Sequence, residues 1–319
     1  MKILVINNAF KEKHKEIIKT TAKKVEAEVY FLQSENDITD DLKDAEVIYG
    51  FGVKTAKNSK NLKWLCVPSA GVDFMLKPDS FANKECLLSN SSGAYGVTIA
   101  EHIIAVSLMM MRNLTLYHEA SLNGKWALPR PQKSFKDATI TVLGTGDIGT
   151  SFAHRVKAFE PKSVIGVCRS GKSDDLVYDK VLKVEELNAI LPETELLVMS
   201  LPATPETENI LSKERIDLLS NGAYIVNVGR GSAIDEEALA DALENGKLAG
   251  AALDVFKNEP LPSDSRLWKT KNLLITPHVA GNLTLMHTMD KNVEMFCEDL
   301  LNFAAGKPLK HFVNRIKGY

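Results

Sequence analysis

Residues 139–149 read TITVLGTGDIG. The first five, Thr139 to Leu143, are β-branched and apolar, the composition of a buried strand. The next six, Gly144-Thr145-Gly146-Asp147-Ile148-Gly149, form G-x-G-x-x-G, and residues 151–159 (SFAHRVKAF) read as a helix. A strand running into this turn and a helix is the pattern of a dinucleotide pyrophosphate site. The first glycine permits the tight turn, the second lets the backbone approach the phosphates, and the third lets helix and strand pack closely. The phosphates then meet the free N–H groups and the dipole of the helix N-terminus. The rival reading is an ordinary strand-helix turn, so the surrounding chain has to decide.

Downstream the alternation is regular. Residues 163–168 (SVIGVC), 195–200 (ELLVMS), 223–228 (AYIVNV), 250–255 (GAALDV) and 273–276 read as strands. With 139–143 they make six, as in two mononucleotide-binding halves. Asp235 is placed to N-cap the helix EEALADALEN, and Gly246 to end it. Upstream, residues 2–6, 28–32, 46–49, 65–67 and 86–88 are short strands between helical or loop segments, and 11–26 has helical spacing. The fold class is α/β, with two doubly wound parallel sheets. Residues 98–120 (TIAEHIIAVSLMMMRNLTLYHEA) read as one long helix, apolar nearly all round and suited to burial against another subunit. His102 and Met109 to Met111 read there as packing residues.

The 319 residues are 45% hydrophobic and 25% charged, with net charge −2, an ordinary globular composition long enough for two domains. No bulk basic field points to nucleic acid or a membrane surface. The N-terminal MKILVINNAF reads as a first buried strand rather than a signal segment. The four cysteines have no metal-type spacing and read as reduced thiols, so a cytoplasmic protein without a metal is expected. One loop of the first half, Pro68-Ser69-Ala70-Gly71-Val72-Asp73, follows a strand. Its small residues could expose N–H groups to an anion, or it could be a plain loop.

An NAD site usually carries Asp or Glu at the end of the second strand. Here that strand ends Val167-Cys168-Arg169-Ser170-Gly171-Lys172. Arg169 and Lys172 can pair with a 2′-phosphate and Ser170 can hydrogen-bond it, which favours NADP(H). In the NAD(H) alternative, Asp174 or Asp175 folds back to the ribose. Three further residues stand past the ends of later strands: Arg230, Glu259 and His278. Singly they read as a loop cation, a turn residue and a solvated histidine. Together they suit carbonyl reduction. Arginine holds a carboxylate and polarises the neighbouring keto oxygen. Histidine exchanges the alcohol proton, and a carboxylate beside it fixes its tautomer and stabilises the protonated form.

At these residues the chain resembles the D-isomer-specific 2-hydroxyacid dehydrogenases. The matching stretches are SAGVD (69–73), LGTGDIG (143–149), LPATPET (201–207), NVGRGSAIDEEAL (227–239), AALDVFKNEPLP (251–262) and TPHVAG (276–281). The resemblance implies a Rossmann dinucleotide domain, residues 98–283, inserted into a flavodoxin-like substrate domain, residues 1–97 and 284–319, with substrate between them. It implies that Arg230 binds the substrate carboxylate and keto group, that His278 is the acid/base and that Glu259 is its partner. Ser69, Ala70 and Gly71 would hold the carboxylate. Leu201, Pro202, Thr207, Val228, Gly229, Asp254 and Gly281 would line the cofactor cleft, with Asp254 near the carboxamide. The 98–120 region is similar to the one the family uses in its dimer interface. Glu259 argues against the formate dehydrogenase branch, where glutamine stands. The expected activity is reduction of a 2-keto acid to a D-2-hydroxy acid. A glyoxylate/hydroxypyruvate reductase is the narrower alternative, and a non-catalytic dinucleotide-sensing corepressor the remote one. Phe51, Tyr95 and residues around Phe74 are candidates for the R-group pocket.

Overall fold

The computed structural model describes residues 1–316 and 318. It divides into two compact units, Met1–Tyr95 with Asn282–Tyr319, and Gly96–Gly281.

The first unit is built on five parallel strands, β1 (Lys2–Ile6), β2 (Glu28–Leu32), β3 (Val47–Gly50), β4 (Trp64–Cys66) and β5 (Leu87–Ser89). Their order is β2-β1-β3-β4-β5, the flavodoxin-like winding. β1, β3, β4 and β5 are almost wholly buried, which is why they read as continuous apolar stretches rather than alternating ones, whereas the edge strand β2 is only half-buried. The helix Met286–Ala304 belongs to this unit and completes its core. Its Phe296 stacks on Tyr49 at 4.2 Å between ring centroids and on Trp64 at 5.4 Å. Asp290 on the same helix accepts a 2.7 Å hydrogen bond from His14 Nε2 on the helix Glu12–Lys24.

The second unit carries seven parallel strands: β6 (Thr139–Leu143), β7 (Ser163–Cys168), β8 (Lys180–Lys183), β9 (Leu196–Met199), β10 (Ala223–Asn227), β11 (Leu248–Leu253) and β12 (Leu273–Ile275). Their order is β12-β11-β10-β9-β6-β7-β8. The sheet therefore has one more strand than the six expected. The addition, β8, is an edge strand of sequence KVLK, and terminal lysines are a common way of blunting an exposed edge. Asp235 caps the helix Glu236–Glu244 by accepting from the Ala238 N–H, and Gly246 follows at φ +78°.

The expected long helix over 98–120 is two helices, Gly96–Met111 and Leu114–Leu122, bent by 68°. The break is at Asn113, which takes a left-handed conformation at φ 54°. Asparagine tolerates that region better than most residues, so the apolar pattern continues while the backbone turns. No single helix among the described residues is long and apolar enough to cross a membrane.

Candidate active site

Most of the expected residues of the second unit lie along one edge of its sheet. Because the strands are all parallel, their carboxyl ends share that edge. In spatial order it carries His278 beyond β12, Asp254 and Glu259 beyond β11, Arg230 beyond β10, Leu201 beyond β9, the Gly144 turn beyond β6 and Arg169 beyond β7. The winding reverses between β6 and β9, the place where open α/β sheets form a ligand crevice. At about 4.8 Å per strand step, Arg169 stands roughly 14 Å along the edge from Arg230.

His278 Nδ1 lies 2.7 Å from Glu259 Oε2, and both side chains are partly exposed. The other Glu259 oxygen accepts the Phe256 N–H at 2.9 Å, so the carboxylate is held from two sides. A carboxylate accepts, which places the proton on Nδ1 and leaves Nε2 for other chemistry. The histidine backbone is in the left-handed region at φ 54°, with its N–H donating to the Asp254 carbonyl at 2.8 Å. Buried Asp254 (2% exposed) organises the loop behind it. It accepts from Thr276 Oγ1 at 2.6 Å, the Val279 N–H at 2.9 Å and the Ala280 N–H at 3.0 Å. Thr276 Oγ1 also lies 3.4 Å from His102 Nε2. Burial holds the His102 imidazole below its ordinary range, while the charge of Asp254 opposes that shift.

Arg230 is presented between two close backbone approaches. A Cβ on Gly229 would stand 2.6 Å from the Leu201 backbone, and one on Gly231 would stand 1.9 Å from the Phe256 carbonyl carbon. Only glycine fits at either place. Arg230 Nη1 donates to the Gly229 carbonyl at 2.8 Å. Buried Asn227 fixes this segment, accepting from the Gly229 N–H at 3.0 Å and donating to the Arg230 carbonyl at 2.9 Å.

The three glycines of 144–149 have distinct surroundings. Gly144 adopts φ +100° beside the Ser200 backbone, and a Cβ on Gly149 would stand 2.0 Å from the Gly144 carbonyl oxygen. Nothing lies within 4 Å of the Cβ position of Gly146, which precedes the helix Asp147–Val156. A side chain there would fill the space before the helix N-terminus, so this turn fits a pyrophosphate group. Asp147 is the first residue of that helix and lies against Gly96, Thr145 packs over Gly166, and Ile148 is half-buried. Pro202 and Thr207 are joined by a 2.6 Å hydrogen bond from the Thr207 hydroxyl to the Pro202 carbonyl, Val228 is buried, and Gly281 closes the unit.

Ser170 Oγ donates to the Lys172 carbonyl at 3.0 Å, which closes a tight turn after β7. Burial alone would raise the Cys168 thiol, but hydrogen bonds involving Ser170 and Thr145 outweigh it and hold the thiol below its ordinary range. The Glu206 carboxyl is held low by Thr204 and, more weakly, by the charge of Arg169. Arg169 therefore acts across the end of the intervening strand β6. Asp175 pairs with His154 at 2.8 Å and accepts the Val177 N–H at 2.9 Å.

A family model described as D-isomer specific 2-hydroxyacid dehydrogenase, NAD binding domain, matches residues 104–280. The chain belongs to the D-isomer-specific 2-hydroxyacid dehydrogenases. It is 33% identical to the glyoxylate/hydroxypyruvate reductase A of Escherichia fergusonii over 266 residues, 82% of this chain and 83% of that one. A solved family member from Aeromonas salmonicida superposes with a TM-score of 0.88 at 31% identity, covering 98% of this chain and 99% of that one. The NADPH-dependent glyoxylate/hydroxypyruvate reductase of Sinorhizobium meliloti, solved with NADP and sulfate, gives 0.79 at 25% identity, covering 100% and 99%. This dehydrogenase is thus an oxidoreductase that transfers a hydride between a nicotinamide dinucleotide and a 2-keto or 2-hydroxy acid.

Two residues that sequence reasoning passed over support the site of this dehydrogenase. One is Asn227, described above. The other is Glu236, whose Oε1 accepts the Lys257 N–H at 2.7 Å and steadies the turn carrying Glu259. Burial raises its carboxyl above the ordinary range. The motif NVGRGSAIDEEAL contained both, but Asn227 acts through backbone groups two and three residues away and Glu236 through one in the turn after β11, which spacing does not reveal. Among the described residues, no cluster of His, Cys, Asp and Glu has the makings of a metal site.

In the first unit, Ser69, Ala70 and Gly71 form the loop beyond β4, and Ser69 Oγ donates to the Gly71 carbonyl at 2.8 Å. Phe51 (48% exposed) and Phe74 form an open aromatic pair at 6.0 Å. Tyr95 does not join them. It is buried, and its hydroxyl donates to the Pro68 carbonyl. Tyr95 is thus a buried anchor of the loop after β4 and not, as expected, a wall of an R-group pocket.

Proposed function

We propose that this dehydrogenase reduces a 2-keto acid to the D-2-hydroxy acid with NADPH as its preferred donor. The observation that carries the reading is the ordered sheet edge, with the His278–Glu259 pair and Arg230 at one end and Arg169 at the other. When bound, the dinucleotide supplies the hydride. Gly144, Gly146 and Gly149 admit its pyrophosphate, and Leu201, Pro202, Thr207, Val228, Gly229, Asp254 and Gly281 border its cleft. Arg230 holds the substrate carboxylate and polarises the keto oxygen, with the N–H groups of Ser69, Ala70 and Gly71 as further carboxylate donors. His278, protonated on both nitrogens, donates its Nε2 proton to the forming alkoxide. Glu259 holds the ring and stabilises its charged form.

Arg169, Ser170 and Lys172 support the NADPH preference, as does the commitment of Asp175 to His154. The NADP-bound Sinorhizobium relative supports it as well. The test is a panel of glyoxylate, hydroxypyruvate, pyruvate, 2-ketoisocaproate and phenylpyruvate with both reduced cofactors. The kcat/KM ratio of NADPH to NADH is expected above one, and Arg169→Ala should raise the NADPH KM roughly tenfold or more. A wild-type ratio below one would overturn the preference. The Escherichia relative favours a narrower reading, a glyoxylate/hydroxypyruvate reductase, while the open Phe51–Phe74 pair favours larger R groups. The panel separates the two.

The reading extends to a cytoplasmic homodimer formed through the 98–120 helix region, with the residues just after it adding apolar surface. Leu122 is 74% exposed, Leu128 80% and Trp126 97%, an apolar display that solvent alone does not favour. Sedimentation velocity should give a dimeric mass for the wild type and a monomeric one for Trp126→Ala/Leu128→Ser. A monomeric wild type would contradict it. The free thiols agree with a reducing compartment.

A further inference from the structure

In the loop after β4, the carbonyls of residues 67–70 all accept hydrogen bonds from the segment that follows β5. The Val67 carbonyl accepts from Ser91 Oγ at 3.3 Å, the Ser69 carbonyl from the Ser91 N–H at 2.9 Å, and the Ala70 carbonyl from Asn90 Nδ2 at 2.6 Å. The Pro68 carbonyl accepts from the Tyr95 hydroxyl. Four consecutive carbonyls are thus held by one short segment, residues 90–95, following β5. In a trans peptide the N–H points opposite to the carbonyl. Pinning the carbonyls of 68, 69 and 70 therefore turns the N–H groups of Ser69, Ala70 and Gly71 to the far side. Among the described residues these three N–H groups have no partner. Successive N–H groups presented together make a concave anion site.

The anchors are not equivalent. The Val67 carbonyl shares its peptide with Pro68, which has no N–H, so the Ser91 hydroxyl orients no donor. The Pro68 carbonyl shares its peptide with the Ser69 N–H, so the Tyr95 hydroxyl orients one. Burial pushes the Tyr95 phenol up to about 12, partly offset by Asn292, so it stays a donor across the working range of an enzyme. Its position, 4% exposed, keeps water from replacing it.

We propose that Tyr95 is a positioning residue for the substrate carboxylate, acting through the Pro68–Ser69 peptide that it locks. The proposal rests on the reading of residues 69–71 as carboxylate donors. A lost N–H contact of this kind weakens ground and transition states alike, so it should appear in KM rather than kcat.

The test uses oxamate, a carboxylate-bearing mimic of a 2-keto acid, with the NADPH-loaded protein. Tyr95→Phe is expected to raise the oxamate dissociation constant and the glyoxylate KM about tenfold, the range for a hydrogen bond to a charged group. The kcat, the NADPH affinity and the pH profile should stay unchanged. Ser91→Ala removes a carbonyl anchor without touching a donor, and should move the oxamate constant less than about twofold. Equal effects of the two variants would mean general loosening of the loop and would overturn the proposal, as would a fall in kcat or NADPH affinity in Tyr95→Phe. Amide hydrogen exchange of the wild type distinguishes the underlying reading. Oxamate should protect the Ser69, Ala70 and Gly71 amides. Protection with an unaffected Tyr95→Phe variant sinks the Tyr95 proposal alone, whereas no protection sinks the carboxylate reading and the proposal with it.

Discussion

Replacing His278 by alanine is expected to lower kcat by roughly 10²–10⁴, the span for loss of a positioned general acid-base. The structure makes this a chemical rather than a folding effect. The side chain is half exposed and pairs with Glu259 Oε2 at 2.7 Å, so truncation leaves no buried cavity. Alanine in the left-handed region costs of order 1 kcal/mol or more, small beside domain stability. The pH dependence carries the sign. Reduction consumes the proton that His278 delivers and oxidation returns one to it, so reduction should slow and oxidation quicken as pH rises. Identical pH profiles in the two directions, measured with chemistry rate-limiting, would remove His278 from the acid-base role. Glu259→Gln should retain part of the activity, because an amide oxygen still accepts from Nδ1 but no longer offsets the positive ring.

Arg230→Ala should lower kcat/KM by roughly 10²–10³, comparable with losing a donor to a developing oxyanion. Both the carboxylate contact and the polarisation of the keto oxygen are lost, so kcat and KM should worsen together. Arg230→Lys should recover little, since an ammonium lacks the planar two-pronged geometry. NADPH affinity should hold in both variants, because the glycine turn and Arg169 lie beyond other strands of the sheet. An Arg230→Ala enzyme with near wild-type kcat/KM would refute the assignment. So would one that had lost NADPH binding, which would point to a collapsed β10 end instead.

Much of this site could be read from residue order because its parts are local. The glycine turn is a contiguous motif, and Arg230, Glu259 and His278 each follow a strand end whose apolar run is visible. What stayed hidden depends on neighbours distant in sequence or on backbone dihedral angles. Strand β8 is four residues long with a lysine at each end, so its composition looks like loop until it is paired with β7. The bend at Asn113 leaves the apolar pattern of 98–120 intact, because one left-handed residue changes direction and not composition. Glu236 looked like a first-turn acid of a helix and is that, yet it also reaches the Lys257 N–H. Tyr95 looked like an aromatic wall and is an anchor instead, which only the position of Pro68 discloses.

The first unit draws its core from segments on either side of the second unit, which sets the order in which the protein is made. Tyr49 and Trp64 are synthesised before the second unit, but the ring they stack on, Phe296, is synthesised only after it. The His14–Asp290 pair spans 276 positions. Residues 96–281 form a contiguous unit that can close while the ribosome is still working. Residues 1–95 must wait with apolar surface uncovered until the helix Met286–Ala304 emerges. The order of assembly is then centre first and flanks last. Prior closure of the centre shortens the effective loop between the two flanks, lowering the entropic cost of their meeting.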